Sequence, residues 1–385
     1  MVWGNWSFLA NLAAREKHVP VVPWFATLFA DRGTKLKDGH DFAEARYSRD
    51  LGAANRIQFR LYYDRYVSDG RYDTGTETGI EAERDFAQGQ WVGSQVTFRR
   101  QWHRFGALTL GTELIAETQN LQRADVVSPE FHNILTIEEP DLRGSIFAQH
   151  EVDLSSRWKA VLGLRYDHSR LFGGDLSPRA ALLFQQSPRT VYKLLWGRAF
   201  RNPSVYEAFY DDGGLSQESN PGLRPEHAGT WEASWERLVG RRINVVATAY
   251  RYDLQGMIQG VPLDAADIYQ YRNVSASRTY GTEVEVYGHL SDRVEGGASL
   301  AVQRAEDVSA GQVLPNAPGR IAKLRLAVPL WRRKVYLGTA WQYLSSRNTL
   351  AGHRLPGVPV GDLNISTFRL NPSFDVQGNP FRRPG

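Results

Sequence analysis

Along this chain apolar and polar side chains alternate one by one, in block after block. Successive side chains of a β-strand point to opposite faces, so alternation gives a strand one greasy face and one wet face. In the clearest block, Trp158, Ala160, Leu162, Leu164 and Tyr166 oppose Lys159, Val161, Gly163, Arg165 and Asp167. Residues 56–64 set Ile57, Phe59, Leu61 and Tyr63 against Arg56, Gln58, Arg60 and Tyr62. Residues 105–118 set Leu108, Leu110, Thr112 and Leu114 against Thr109, Gly111, Glu113 and Ile115. About sixteen such blocks, mostly of roughly ten residues or a little more, recur between turn residues. They cover residues 6–12, 41–51, 56–64, 90–101, 105–118, 141–152, 158–168, 176–186, 190–200, 226–237, 243–254, 268–290, 294–306, 317–330, 335–345 and 362–370.

The connections narrow the choice further. Short turns alternate with long polar segments, among them 15–40, 67–89, 119–140 and 201–225. Long structureless loops argue against a compact water-soluble domain. They suit a membrane β-barrel, with short turns on one side and long loops on the other, where alternating hairpins satisfy every backbone group. Composition agrees. Trp 11, Tyr 17 and Phe 17 make 12% of the 385 residues, yet mean hydropathy is −0.43. No run approaches the roughly 18 apolar residues of a membrane helix. The 46 basic and 42 acidic residues are scattered and nearly balanced, which excludes a nucleic-acid partner. Cysteine is absent, so disulfides and thiolate metal sites are excluded. Residues 1–16 lack the basic and apolar regions of a secretory signal. The expected fold is therefore all-β, a transmembrane antiparallel β-barrel with about sixteen strands.

Two boxes in residues 190–226 carry a resemblance. WGRAFRNPSVYE, from Trp196 to Glu207, ends one block; NPGLRPE, from Asn220 to Glu226, opens the next. In this order they resemble the best-marked segment of TonB-dependent outer-membrane receptors. Asn5-Trp6-Ser7, Ala14-Arg15-Glu16-Lys17 with Val19-Pro20, Gly163-Leu164-Arg165-Tyr166-Asp167, Asn273 with Gly281-Thr282-Glu283-Val284-Glu285, and Leu314-Pro315-Asn316-Ala317-Pro318 resemble further strands of that family. The family's plug, its energy-coupling box and its terminal aromatic strand have no counterpart here. Plugged transporters have about 22 strands. Taking residues 6–15 as the fifth strand makes residues 362–370 the twentieth. The expectation is thus an incomplete barrel over residues 1–370, a piece of a larger receptor, followed by an irregular tail over 371–385.

The resemblance implies an outer-membrane location, and TonB-driven uptake of a scarce small molecule such as a ferric siderophore. Its partners would be outer-membrane lipid, and the TonB protein through a plug. Candidate ligand-binding residues at the outer loops are Arg198, Arg201, Tyr206, Glu207, Tyr210, Asp211 and Asp212. Against this stands a plainer reading, in which Pro203 restricts Asn202 and ends the strand, while Asn220, Pro221 and Pro225 make turns. Arg60, Glu113, Glu151, Arg165, Asp167, Arg179, Glu283 and Glu285 are expected on the lumen wall, and Trp158, Trp341 and Tyr343 at membrane interfaces. Haem-binding relatives carry a histidine between the two boxes; here residues 201–219 contain none, and His227 comes after. No cofactor, metal site or catalytic residue is expected, since no spacing suits metal ligation and no nucleophile elbow or phosphate loop occurs. A passive porin is the alternative. A barrel enzyme is a third class that no residue nominates.

Overall fold

A computed structural model describes residues 1–19, 33–76, 79–263, 268–291, 293–331 and 335–367. The tail expected over 371–385, the end of the last block at 368–370 and Pro20 lie outside the described residues. Sixteen strands of ten residues or more are present among those described. They are β1 (Trp6–His18), β2 (Lys35–Asp50), β3 (Asn55–Thr76), β4 (Gly79–Trp102), β5 (Gly106–Ser128), β6 (Leu142–Asp153), β7 (Trp158–Ser169) and β8 (Gly173–Ser187). The series continues with β9 (Thr190–Arg201), β10 (Glu226–Val239), β11 (Ile243–Pro262), β12 (Tyr269–His289), β13 (Glu295–Asp307), β14 (Arg320–Trp331), β15 (Val335–Leu344) and β16 (Val358–Thr367). Each answers to one alternating block, so the all-β expectation holds. One helix is described, α1 (Val205–Phe209).

The chain divides into two units, one of Met1–Ala181, Trp196–Gly229 and Leu254–Ala276, the other of Leu182–Leu195, Thr230–Asp253 and Ser277–Gly385. In the first, β1 to β6 pair antiparallel in sequence order, and β6 pairs with β7. In the second, β12 pairs with β13, β13 with β14, β14 with β15 and β15 with β16, all antiparallel. Among the described residues a two-residue parallel bridge also joins Gln217 and Glu218 to Tyr269 and Gln270.

The two faces differ as the alternation predicts. On one, Leu61, Leu110, Leu162, Leu164 and Tyr166 are exposed. On the other, charged groups pair across strands. Arg60 meets Glu44 at 2.5 Å, Arg165 meets Glu113 at 3.0 Å, and Arg99 meets Glu151 at 3.1 Å. Aromatic rings lie over glycines on this polar face. Tyr62 faces Gly93 across β3 and β4, and Phe147 faces Gly111 across β5 and β6. A Cβ at Gly93 would stand 2.0 Å from the Tyr62 ring, and one at Gly111 2.1 Å from that of Phe147. Missing Cβ atoms let the rings lie flat, and Tyr62 then reaches over β4 to Glu113 at 3.3 Å.

Three loop expectations fail. Among the described residues, 67–89 is not a polar loop but strand, as are 119–128 and 132–138 of the expected loop 119–140, and 15–18 and 35–40 of the expected loop 15–40. β3 and β4 pair residue for residue out to Thr76 and Gly79, and β5 continues to Ser128, where His132–Glu138 folds back on it. Charge holds these extensions on the face that carries Leu61 further down β3: Arg84 pairs with Asp69 at 2.8 Å, and Arg123 with Asp125 at 2.7 Å. Backbone ladders need no apolar face, so a reading based on hydrophobic period stops where the grease stops.

Candidate functional site

The two boxes fold onto one another within the first unit. β9 ends at Arg201, and Asn202-Pro203 breaks the ladder. Ser204 then caps α1 in a reciprocal box: its hydroxyl accepts from the Glu207 N–H at 3.2 Å, and Glu207 accepts from the Ser204 N–H at 2.8 Å. Arg201 closes the arrangement. Its Nη atoms donate to both oxygens of Glu207 at 2.9 and 3.1 Å, and its Nε donates to Glu226 at 2.6 Å. Glu226 also accepts from the Ile258 N–H at 2.6 Å. Hydrogen bonds donated to Glu226 and Glu207 raise the Arg201 pKa, so the cation is permanent. Burial would raise the Glu207 carboxyl, but Arg201 and Ser204 outweigh it and hold it below the usual range.

The loop after α1 is wound around two carboxylates. Asp211 accepts from the Gly213 N–H at 3.1 Å and from the Ser219 hydroxyl at 3.0 Å. Asp212, 8% exposed, accepts from the N–H groups of Leu215, Ser216 and Gln217 at 2.9, 2.9 and 3.1 Å. Bonds from the Gly213 and Ser219 backbone lower the Asp211 pKa. At Asp212 burial pushes up, and the Ser216 and backbone donors overcome it. The second box is anchored likewise. Asn273 bridges it in both directions, accepting from the Arg224 N–H and donating to the Arg224 carbonyl, each at 2.9 Å. Asn220 donates to the Tyr271 carbonyl at 2.7 Å. Beneath lies a small apolar centre of Ala208, Leu223 and Ile258, with Phe172, Phe209 and Tyr271 against it.

Six of the seven candidates are thus brought together. Arg201, Glu207, Asp211 and Asp212 are occupied in holding the fold. Tyr206, 42% exposed, packs on Tyr210 at 4.7 Å and on Tyr271 at 6.1 Å. Burial pushes both the Tyr206 and the Tyr210 phenols up, keeping them neutral. Arg198 stands in a different group, 3.9 Å from Asp175, which is hydrogen-bonded to His227. Sequence reading missed Tyr271 and the clamp made by Asn273. Asn273 was visible within a family-like strand, but its partner Arg224 is 49 positions away. A cavity of about 580 Å³ lies below the first box, lined by Glu113, Arg143, Arg165, Phe172 and residues 200–205. Arg201 is the one candidate that reaches it. Among the described residues no cluster suits a metal ion.

An antiparallel wall, apolar on one face and ion-paired on the other, with a polar knot at its long-loop end, has the pattern of a membrane β-barrel wall. The chain belongs to the TonB dependent receptor-like β-barrel family, whose model matches residues 7–379. Over 200 residues it is 26% identical to an iron-regulated outer membrane virulence protein of Vibrio cholerae serotype O1, covering 47% of this chain and 30% of that protein. The copper transporter OprC superposes with a TM-score of 0.72 at 16% identity, over 89% of this chain and 59% of its own. The ferric-catecholate import receptor Fiu of E. coli K12 superposes with a TM-score of 0.69 at 12% identity, over 95% and 66%. The chain therefore spans about a third of the curated relative and under two thirds of OprC. Among the described residues there is no plug domain.

Proposed function

We propose that this chain forms the outer-membrane wall of a receptor that captures a scarce solute, such as a ferric siderophore, for TonB-driven uptake. The family match over residues 7–379 carries this reading. The exposed apolar face supports a lipid surrounding, because such a face is costly in water. The same match and the paired boxes favour a receptor over a passive pore. The exposed Tyr206, with Tyr210 and Tyr271 behind it, forms the ligand-facing surface of the knot. Arg201, Glu207, Asp211 and Asp212 keep that surface rigid, while Arg198 acts from its own group with Asp175.

The test is growth of an iron-starved outer-membrane host carrying the gene in its genomic length. Uptake of a radiolabelled iron chelate that needs both this gene and the TonB protein supports the reading. Uptake unaffected by loss of TonB overturns it. In the same host Y206A should weaken chelate binding by roughly tenfold, as loss of an aromatic contact does. Unchanged binding removes Tyr206 from the ligand surface.

A further inference from the structure

The short turns repeat a feature that ligand capture does not use. In three of them a serine hydroxyl accepts the backbone N–H of an arginine two residues on. Arg157 donates to Ser155, Arg189 to Ser187 and Arg293 to Ser291, each at 3.2 Å. The turn is thereby fixed by backbone, and the guanidinium is left over. Two other short turns hold Arg104 and Arg241. All five arginines are exposed. Among the described residues none has a carboxylate or any other side-chain partner. Arginines elsewhere in the strands are used differently: Arg71 holds Asp73 at 3.1 Å, Arg84 holds Asp69 at 2.8 Å, and Arg304 holds Glu306 at 2.9 Å.

Apolar side chains stand at four of these five turns, all but that of Arg189. Phe105 beside Arg104 is 66% exposed, Leu154 near Arg157 60%, and Leu290 near Arg293 54%. Val239 precedes the turn of Arg241 and is also exposed. A soluble surface does not repeat this pairing of a bare apolar residue with a bare arginine. A membrane interface does, because the apolar group enters the acyl boundary while the cation stays among headgroups.

We propose that the short-turn end of each unit is a binding surface for the phosphates of anionic phospholipid. Arg157 in the first unit, and Arg189 and Arg293 in the second, stand on turns anchored by a serine, and Arg104 and Arg241 add to them. The planar guanidinium offers two parallel N–H groups to a phosphate, a match that lysine lacks. The occupant is lipid because the exposed leucines and Phe105 lie within the turns themselves; a soluble phosphate would make no use of them. This inference rests on the membrane reading of the chain.

The test uses the full chain refolded into detergent micelles, with bound lipid counted by native mass spectrometry. Phosphatidylglycerol is titrated against phosphatidylcholine, with inorganic phosphate as competitor. Preferential retention of phosphatidylglycerol, undisturbed by millimolar phosphate, is expected. The triple variant R157Q/R189Q/R293Q should lose the preference, with binding weakened about fivefold at the first unit and about twenty-five-fold at the second, since each surface arginine contributes roughly fivefold. The variant R71Q/R84Q, which removes charge from paired positions, should keep the preference. Equal retention of both lipids by the unaltered chain, displacement by free phosphate, or full retention by the triple variant overturns the inference alone. A chain that takes up no detergent overturns the membrane reading, and this inference with it.

Discussion

Arg201 shows how one side chain joins parts of the sequence that say nothing of each other. It binds Glu207 six residues on and Glu226 twenty-five residues on. Removing it leaves two carboxylates without their cation, and charge-assisted bonds of this kind are worth about 1.5–3 kcal/mol each before solvent screening. Arg201 is 47% exposed, so R201A should cost the knot about 1–2 kcal/mol, read as faster proteolysis within residues 204–219. E226Q should cost less, because its amide oxygen can still accept from Arg201 or Ile258. An equal cost for the two variants would contradict the clamp. Acid tests the same residues. Glu207, Glu226, Asp211 and Asp212 all have folded pKa values below their ordinary ones. A depressed carboxyl stabilises the fold above its unfolded pKa, and that stabilisation drains as pH falls through the folded value. Pepsin cleavage in this loop should therefore be slow at about pH 5 and accelerate below about pH 4. A rate independent of the knot's ionisation would refute the assignment.

Among the strands, glycine placement decides what the polar face can hold. Gly111 accepts the Phe147 ring, and the Arg165 guanidinium lies 5.5 Å from that ring's centroid. G111V would drive a side chain into the ring, force Phe147 off its position and disturb Arg165 with its bonds to Glu113 and Asp167. Overpacking of this sort costs about 1–3 kcal/mol. The measurable result is a lowered midpoint for unfolding of the refolded chain in urea, with partial recovery in G111V/F147A. An unaltered midpoint would show that the ring does not depend on the glycine. The alternating blocks announced these strands well, since side-chain alternation is a local property of extended backbone. Nothing in them announced the Gly–aromatic contacts, because register is set between strands.

Across the molecule, protection should follow how many neighbours a strand has. β4 is paired on both sides along nearly its whole length, with β3 and β5. β16 is paired with β15, and each of its ten residues is exposed. Backbone groups without a ladder partner exchange freely. Amide hydrogens of β16 that point away from β15 should exchange at least about a hundredfold faster than those of β4. Equal protection would mean that another strand covers that edge. Polar extension of β3, β4 and β5 bears on function too, because it makes the long-loop end a ribbon held by ion pairs. The simple period-2 pattern stops at the apolar band, and loop lengths read from it are too long.

Alternation of side chains by itself determines that this is an antiparallel all-β wall, which face meets apolar surroundings, and where the short turns fall. Each of those follows from the backbone geometry of a few neighbouring residues. Folding in three dimensions decided the rest: how far polar strands continue, which arginines are paired, and that most of the candidate ligand residues hold the knot together. Those outcomes depend on pairs such as Arg224 with Asn273 and Arg165 with Glu113, 49 and 52 positions apart. No local pattern encodes such a meeting; strand register brings the partners face to face.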